Sequence, residues 1–269
     1  MKKNTDTLIK NIRLNILKLT YKAKSAHIGS SLSIVEILAI LYNEILNINP
    51  LKKNFLYRDR FILSKGHAAL ALYCTLYEKS FITKNTLDSF GKENTILMNH
   101  ISHKVPGVEF STGSLGHGLP IAIGKSLNAK RYNKKWKIYA LLSDGELNEG
   151  SNWEGLMFAA HHNLDNLTIV IDYNKMQSLD YVKNTIGLEP LKEKFKSFGS
   201  NVQDINGHSL LQLRKAFNNK IQNKPKVIIA NTIKGKGVNF MENNILWHYT
   251  PPDKFQLKKA LIEINKRYA

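Results

Sequence analysis

The 269-residue chain is 43% hydrophobic, enough for one large α/β domain, and it has no apolar run of 18 residues, which excludes a membrane span. Its net charge of +18 comes mainly from lysines scattered along the chain, without a basic motif interleaved with aromatic residues, so we expect compositional bias and no nucleic-acid partner. The single cysteine, Cys74, lies in an apolar run, which excludes an internal disulfide and a cysteine metal cluster and favours the reducing cytoplasm.

The first third of the chain is predicted to be mostly helical. Apolar residues at helical spacing predict a first helix over about 5–24, which the segment 25–31 breaks. Ser33 with Glu36 three residues later has the pattern of a capping box, which predicts a second helix from Ser33 to about Leu46. The segment 59–67 predicts a short strand that turns sharply into an alanine-rich helix.

The rest of the chain alternates between strands and helices. Apolar runs at 137–142 and 167–171 predict two buried parallel strands. The remaining predicted elements are a glycine-rich turn and helix at 113–128, a loop over 178–187, strands within 197–206 and at 226–232, and helices at 209–218 and from Pro252. We therefore predict an α/β fold, a doubly wound, mostly parallel sheet flanked by helices, as a single domain over 1–269.

The clearest chemistry lies at the ends of the two central strands. Asp144 and Asn174 follow neighbouring strands of a βαβ unit, so the right-handed crossover brings them to the edge where open α/β sheets bind ligands. Their side-chain oxygens, with the backbone carbonyl of Met176, suit Mg²⁺ or Ca²⁺ and leave positions for phosphate oxygens. Gly145 allows a phosphate to approach closely, and the helix that opens near Ser151 points its positive end there. These features predict a metal diphosphate site.

The same region resembles the thiamine diphosphate motif, and it is most similar to the transketolases. The shared features are Asp144-Gly145, Glu149-Gly150, Trp153-Glu154 and Asp172-Tyr173-Asn174-Lys175, with Ser143 in place of the usual first glycine. Four other segments resemble transketolase in order and spacing, at 25–29, 59–67, 106–118 and 232–237 followed by Trp247-His248. The resemblance extends from about residue 8 to residue 250.

The resemblance implies a set of cofactor contacts. Asp144, Asn174 and the Met176 carbonyl would hold the divalent ion of thiamine diphosphate. Gly145 and Gly116 would lie against the diphosphate, and Leu115 would pack on the pyrimidine. Glu149 would lie at a subunit interface and hydrogen-bond the glutamate that activates the cofactor.

The resemblance also implies roles for four histidines. His67 and His248 would contact the diphosphate and the reacting carbons, while His27 and His100 would line the substrate channel and bond the donor's oxygens. Imidazoles suit this chemistry because ketol transfer passes through an alkoxide that loses and regains a proton near the unperturbed histidine pKa of about 6.5. His103 is an alternative to His100, since the neighbours of His100 differ from the family's Gly-His-Pro.

Full-length transketolases are more than twice as long as this chain. The resemblance covers the diphosphate-binding domain but no pyrimidine-binding domain, which carries the activating glutamate and the arginines for the substrate phosphate. We therefore expect a split transketolase of the pentose phosphate pathway, in which a separate carboxy-terminal subunit completes the site in an α₂β₂ assembly that acts on sugar phosphates.

Other functions stay open at this point. A related ketol transferase for another sugar phosphate would differ mainly in the missing half, and a non-catalytic subunit could keep the cofactor and regulate a partner. Deoxyxylulose-phosphate synthase is disfavoured because it carries both domains on one chain and lacks the pattern at 149–154. A nucleic-acid module is a distant alternative.

Overall fold

Five strands form one sheet in which every adjacent pair is parallel, in the order β1-β2-β3-β5-β4. The computed structural model describes residues 4–51 and 56–268, so parts of the predicted domain, 1–3, 52–55 and 269, lie outside the described residues. The strands are β1 (Arg60–Leu63), β2 (Ile138–Ser143), β3 (Leu167–Tyr173), β4 (Asn201–Asn206) and β5 (Lys226–Asn231). The chain moves in one direction across the sheet from β1 to β4 and turns back after β4, when β5 inserts between β3 and β4, as the predicted doubly wound fold allows.

Helices connect and cover the strands. They are α1 (Thr5–Ala23), α2 (Ile28–Leu32), α3 (Val35–Ile40), α4 (Ala69–Glu78), α5 (Lys84–Leu87), α6 (Gly118–Arg131), α7 (Gly150–His161), α8 (Val182–Thr185), α9 (Leu191–Ser197), α10 (Leu210–Asn218) and α11 (Lys254–Arg267). A π turn follows α3, and 3₁₀ turns occur at Gly66–Ala68, Gly145–Asn148 and Ile245–His248. In the described part of the chain, every helix is too short or too polar to cross a bilayer.

Successive residues of the central strands face opposite sides of the sheet and enter two separate hydrophobic clusters. Leu141 and Val170 belong to one cluster, which α1, α3, α4 and α11 complete. Leu142 and Ile171 belong to the other, with apolar residues of α6, α7 and α9. Burial on both faces explains why these strands are continuous apolar runs and not alternating patterns.

The predicted second helix is wrong at its start. Residues 28–32 are already helical, and α3 has Ile34 as its N-cap without a side-chain cap. Ser33 instead donates to Asp172 Oδ2 at 2.7 Å, and Glu36 accepts from Arg13 Nη2 at 2.6 Å. These long-range partners hold both side chains away from the local capping pattern, whereas a capping box does form at the start of α11.

Candidate active site

A cavity of about 200 Å³ opens at the carboxyl ends of β2 and β3. Ser143 pairs with Asp172 across these strands, so Asp144 and Asn174, which follow closely, lie side by side on the cavity wall. The other predicted site residues that line the same cavity are Gly145, Met176, Leu115, His27, His67, His100 and His248. The βαβ crossover therefore brings together residues that lie far apart in the sequence.

Backbone N–H groups hold the oxygens of the predicted metal ligands. Asp144 is 1% exposed; its Oδ1 accepts from Gly145 N at 2.8 Å and its Oδ2 from Lys175 N at 2.6 Å. Lys175 has the left-handed φ of 65°, which turns its N–H towards the carboxylate. Asn174 Oδ1 accepts from Met176 N at 3.1 Å. Each oxygen keeps a second lone pair, so the set can still coordinate a cation.

The electrostatics of Asp144 fit a bound cation. Burial raises the pKa of Asp144 to about 7, and the nearby charge of Asp172 acts in the same direction. Among the described residues, no lysine, arginine or histidine lies within ion-pair distance of its carboxylate. A divalent ion would supply that positive charge, because metal ions stabilise the ionised form of their ligands.

A donor for an anionic ligand is also present. Gln177 lines the cavity, and its Nε2 is buried without a hydrogen-bond partner in the described part of the structure. Gly145 leaves space beside it, since a Cβ at this position would lie 3.1 Å from Gln177 Cγ. A buried donor without a partner is costly unless a ligand satisfies it. The residues present therefore fit a metal diphosphate.

Asp172 is the hydrogen-bond centre next to the cavity, and the sequence had assigned it no role. The side chain is 0% exposed and forms a buried ion pair with Lys65. Asn174 Nδ2 donates to Asp172 Oδ2 at 3.1 Å, and Thr232 Oγ1 donates to Oδ1. Because Asp172 takes the amide nitrogen of Asn174, the Asn174 oxygen is left for a metal ion.

Two lysines of the cavity were also missed by the sequence reasoning. Lys65 and Lys234 stand in segments that resemble transketolase, but their side chains carried no predicted role. Lys234 Nζ donates to Gln177 O at 2.7 Å and lies 3.0 Å from His248 Nδ1. Burial and, to a smaller extent, the charge of Lys65 lower the pKa of Lys234 to about 8. The available signal was their position directly after apolar strands, where a lysine is buried only with partners.

The four predicted histidines form one cluster. The His27 ring centroid lies 5.0 Å from that of His248, 5.4 Å from that of His67 and 5.6 Å from that of His100. Burial lowers the pKa of His27 to about 4 and that of His248 to about 3, with the lysine charges acting in the same direction. The pKa of His67 is lowered for the same reasons. These three neutral imidazoles can accept hydrogen bonds from substrate hydroxyl groups.

The structure distinguishes between His100 and His103 as the fourth histidine of the site. His100 lines the cavity. The His103 ring lies outside the cavity lining, and its Nδ1 is 2.7 Å from Ser111 Oγ. The geometry therefore favours His100 as the fourth histidine of the site.

Two predicted cofactor-binding residues do not line the cavity. Gly116 has φ of 83°, and its N–H donates to Glu146 Oε1 at 3.0 Å. Glu149 is exposed at the start of α7. It lies beside Gly116, because a Cβ added at Gly116 would be 2.7 Å from Glu149 Cβ. The contact of Gly116 with the diphosphate and that of Glu149 with a second subunit stay predictions.

The loop predicted to cover the site contains the short helix α8. With Asn174 and Met176 it lines a second cavity of about 520 Å³ next to the first. This side of the predicted metal site is therefore open in the single chain.

Lowered histidine pKa values predict a pH dependence of stability. The unfolded chain takes up protons near pH 6.5, but His27 and His248 in the folded chain resist protonation until about pH 4 and 3. These histidines therefore lower the free energy of unfolding as pH decreases from 6.5 to 4, and the raised pKa of Asp144 opposes only part of this fall. Urea unfolding across this range measures the slope, and His27→Gln should reduce it. An unchanged slope in that variant would contradict the lowered pKa.

Gly66 precedes His67 in a tightly packed turn. A Cβ at Gly66 would lie 2.4 Å from the backbone oxygen of Thr112, so Gly66→Ala should lower the free energy of unfolding by about 1–3 kcal/mol. Gly124→Ala is the matched control, because nothing lies within 4 Å of that Cβ and alanine favours the helix by up to about 1 kcal/mol. Urea midpoints compare the two. Equal effects would show that the Gly66 turn can relax.

The sequence matches known proteins along nearly its whole length. Residues 4–261 match the family described as transketolase, thiamine diphosphate binding domain. The chain is 41% identical to one subunit of the apulose-4-phosphate transketolase of Actinobacillus succinogenes, covering 95% of this chain and 94% of that protein. It is 39% identical to the 6-deoxy-6-sulfo-D-fructose transketolase subunit SqwG of Clostridium sp. (strain MSTE9), covering 90% of each.

A solved structure extends the comparison. The transketolase of Campylobacter jejuni superposes with a TM-score of 0.92 at 30% identity, covering 97% of this chain. The chain spans 42% of that protein's length.

Proposed function

Because the chain belongs to the transketolase family, we propose that it is the amino-terminal subunit of a two-chain, thiamine diphosphate-dependent transketolase. It would move a two-carbon ketol unit from a ketose phosphate to an aldose phosphate. The observation that carries the proposal is the cavity that the oxygens of Asp144 and Asn174 share with a cluster of four histidines. In this proposal, the whole chain is one diphosphate-binding domain.

Each group of residues has a defined task in this proposal. Asp144, Asn174 and the Met176 carbonyl hold Mg²⁺ or Ca²⁺, and Gly145, Gly116 and Gln177 contact the diphosphate, with Leu115 against the pyrimidine. When bound, thiamine diphosphate supplies the electron sink for cleavage of the carbon–carbon bond.

The histidines act on the substrate. His27, as a neutral imidazole, accepts a hydrogen bond from the donor, and with His100 it orients the sugar. His67 and His248 lie next to the reacting carbons, where an imidazole can take and return a proton. Lys234 Nζ lies 3.0 Å from His248 Nδ1, and when it donates there, the Nε2 of His248 carries a proton that the ring can give to the substrate and take back.

A second chain is needed to complete the site. In this proposal, a carboxy-terminal transketolase subunit supplies the pyrimidine-binding domain and its activating glutamate, in an α₂β₂ assembly. Glu149, exposed at the start of α7, would hydrogen-bond that glutamate. The relative from Actinobacillus succinogenes is itself named as one subunit of its transketolase, which supports a second chain here.

The sugars form two candidate sets. One is the set of the pentose phosphate pathway, with xylulose 5-phosphate as donor and ribose 5-phosphate as acceptor. The other is favoured by the names of the relatives, which refer to apulose 4-phosphate and 6-deoxy-6-sulfofructose. Both sets use the same ketol chemistry.

The test compares this chain alone with this chain co-purified with the products of neighbouring reading frames, with Mg²⁺ and thiamine diphosphate. We expect ketol transfer only when both chains are present, and the four sugars named above distinguish the two sets. Transfer by the purified single chain would overturn the two-chain proposal. Tight cofactor binding without transfer in any pair would favour the non-catalytic subunit.

A further inference from the structure

A basic segment lies at the opposite end of the sheet from the cavity. Residues 130–137, here called the basic segment, join the end of α6 to the start of β2 and place five lysines or arginines around Tyr132 and Trp136. The six residues of β2 put roughly 17 Å between this segment and the cavity edge. The expectation that the chain has no basic motif interleaved with aromatic residues is therefore wrong for this segment.

In the described residues, the charge of the basic segment is only partly balanced, by Asp165 beside Lys130 and by Asp59 near Lys137. Arg131, Lys134, Lys135 and Lys137 are exposed, and in the described residues none has a carboxylate within ion-pair distance. Lys130 is the exception, since its Nζ lies 2.9 Å from Asp165 Oδ1. Such a surface attracts anions and repels other cations.

More cations surround the segment. Asn223 N donates to Asp165 Oδ2 at 3.2 Å, which brings the exposed loop with Lys220 and Lys224 next to Lys130. Burial and, to a smaller extent, the charge of Lys137 lower the pKa of Lys226 to about 8. The cations therefore interact with one another in the free chain, and a polyanion would remove this repulsion.

The segment also offers a groove and an exposed ring. Four lysines and Trp136 line a groove of about 530 Å³ together with Asp165, and Tyr132 lies outside this lining. Tyr132 is 67% exposed, so a ring face is open to solvent. Trp136 is partly buried, and the Arg60 guanidinium lies 5.0 Å from its ring centroid, which supports the groove wall.

We propose that the basic segment binds single-stranded nucleic acid, with phosphates at Lys134 and Lys135 and a base stacked on Tyr132. A positively charged groove with an exposed aromatic side chain is the arrangement that single strands recognise, because every base offers a ring face. An anionic membrane would use the charges but would not need a single exposed ring beside a groove. Binding at this end leaves the cavity open, so it does not depend on ketol transfer.

The experiment is a fluorescence anisotropy titration of the full chain with a labelled 20-nucleotide oligouridylate and the matching oligodeoxythymidylate. The double variant Lys134→Glu/Lys135→Glu should weaken binding by tenfold or more at 100 mM salt. It should also reduce the slope of log K against log salt by about 1.4, the value for two lost phosphate contacts on a single strand. Tyr132→Ala should weaken binding by roughly tenfold and leave the slope unchanged.

The matched control is Lys254→Glu/Lys258→Glu, which makes the same change of charge at exposed positions of α11. We expect this control to bind within about twofold of the wild type. Equal loss in both double variants would overturn the proposal, because net charge would then explain the binding. Binding to phosphatidylserine vesicles without binding to either oligonucleotide would also overturn it. The two oligonucleotides show whether RNA or DNA is preferred.

Discussion

Asp144→Asn is expected to lower ketol transfer by the two-chain enzyme by about a thousandfold or more, because a metal ion contributes several kcal/mol to such reactions. The amide keeps the shape of the side chain but not its charge. In the apo chain, the same change removes repulsion between Asp144 and Asp172. The amide nitrogen also replaces one of the two oxygens that accept backbone N–H bonds, which costs about 1–3 kcal/mol and offsets this gain, so we expect a folded variant of similar stability with cofactor binding lost.

Calorimetric titration with thiamine diphosphate and Mg²⁺ measures the binding, and thermal unfolding of the apo chain checks the fold. Asp165→Asn is the matched control, since that carboxylate pairs with Lys130 at the other end of the sheet. If Asp144→Asn binds the cofactor as tightly as the wild type, Asp144 is not a ligand of the metal ion.

Lys65→Met should lower the free energy of unfolding of the apo chain by about 3–5 kcal/mol, because it leaves the buried Asp172 carboxylate without its ion partner. Lys84→Met is the matched control, because the Lys84 and Asp88 side chains are 54% and 39% exposed and such a pair contributes at most about 1 kcal/mol. Urea unfolding at neutral pH compares the two variants with the wild type.

The pH dependence adds a second test of the same pair. Lys65 and the hydrogen bonds hold the pKa of Asp172 below its ordinary value of 3.8, although burial opposes them. The stabilisation is therefore present above pH 3.8 and is lost as pH falls through the lowered pKa. The difference between Lys65→Met and the wild type should shrink in acid. A constant difference would show that lost packing and not charge causes the effect.

The sheet could be predicted because its strands carry a local signal. The apolar runs at 137–142 and 167–171 coincide closely with β2 and β3, since strands buried on both faces need apolar residues throughout. The position of Asp144 beside Asn174 then follows from the handedness of one crossover. The fold and the centre of the site are thus contained in short stretches of sequence.

The rest of the site depends on partners that no local pattern reveals. Asp172 pairs with Lys65, 107 positions away, and Ser33 reaches Asp172 across 139 positions. The capping-box prediction was wrong for this reason, because Ser33 and Glu36 have the right spacing but bind distant side chains. Lys234, Gln177 and the burial of the histidines likewise depend on the assembled fold.

The partners of Asp172 also determine when the hydrogen bonds around this residue can form during synthesis of the chain. Ser33 and Lys65 leave the ribosome well before Asp172, but Thr232 follows it by 60 positions. Until β5 has emerged and inserted beside β3, Asp172 lacks one hydrogen bond and its strand has an open edge. The nascent chain therefore passes through a stage with an exposed apolar strand, in which chaperone binding competes with aggregation.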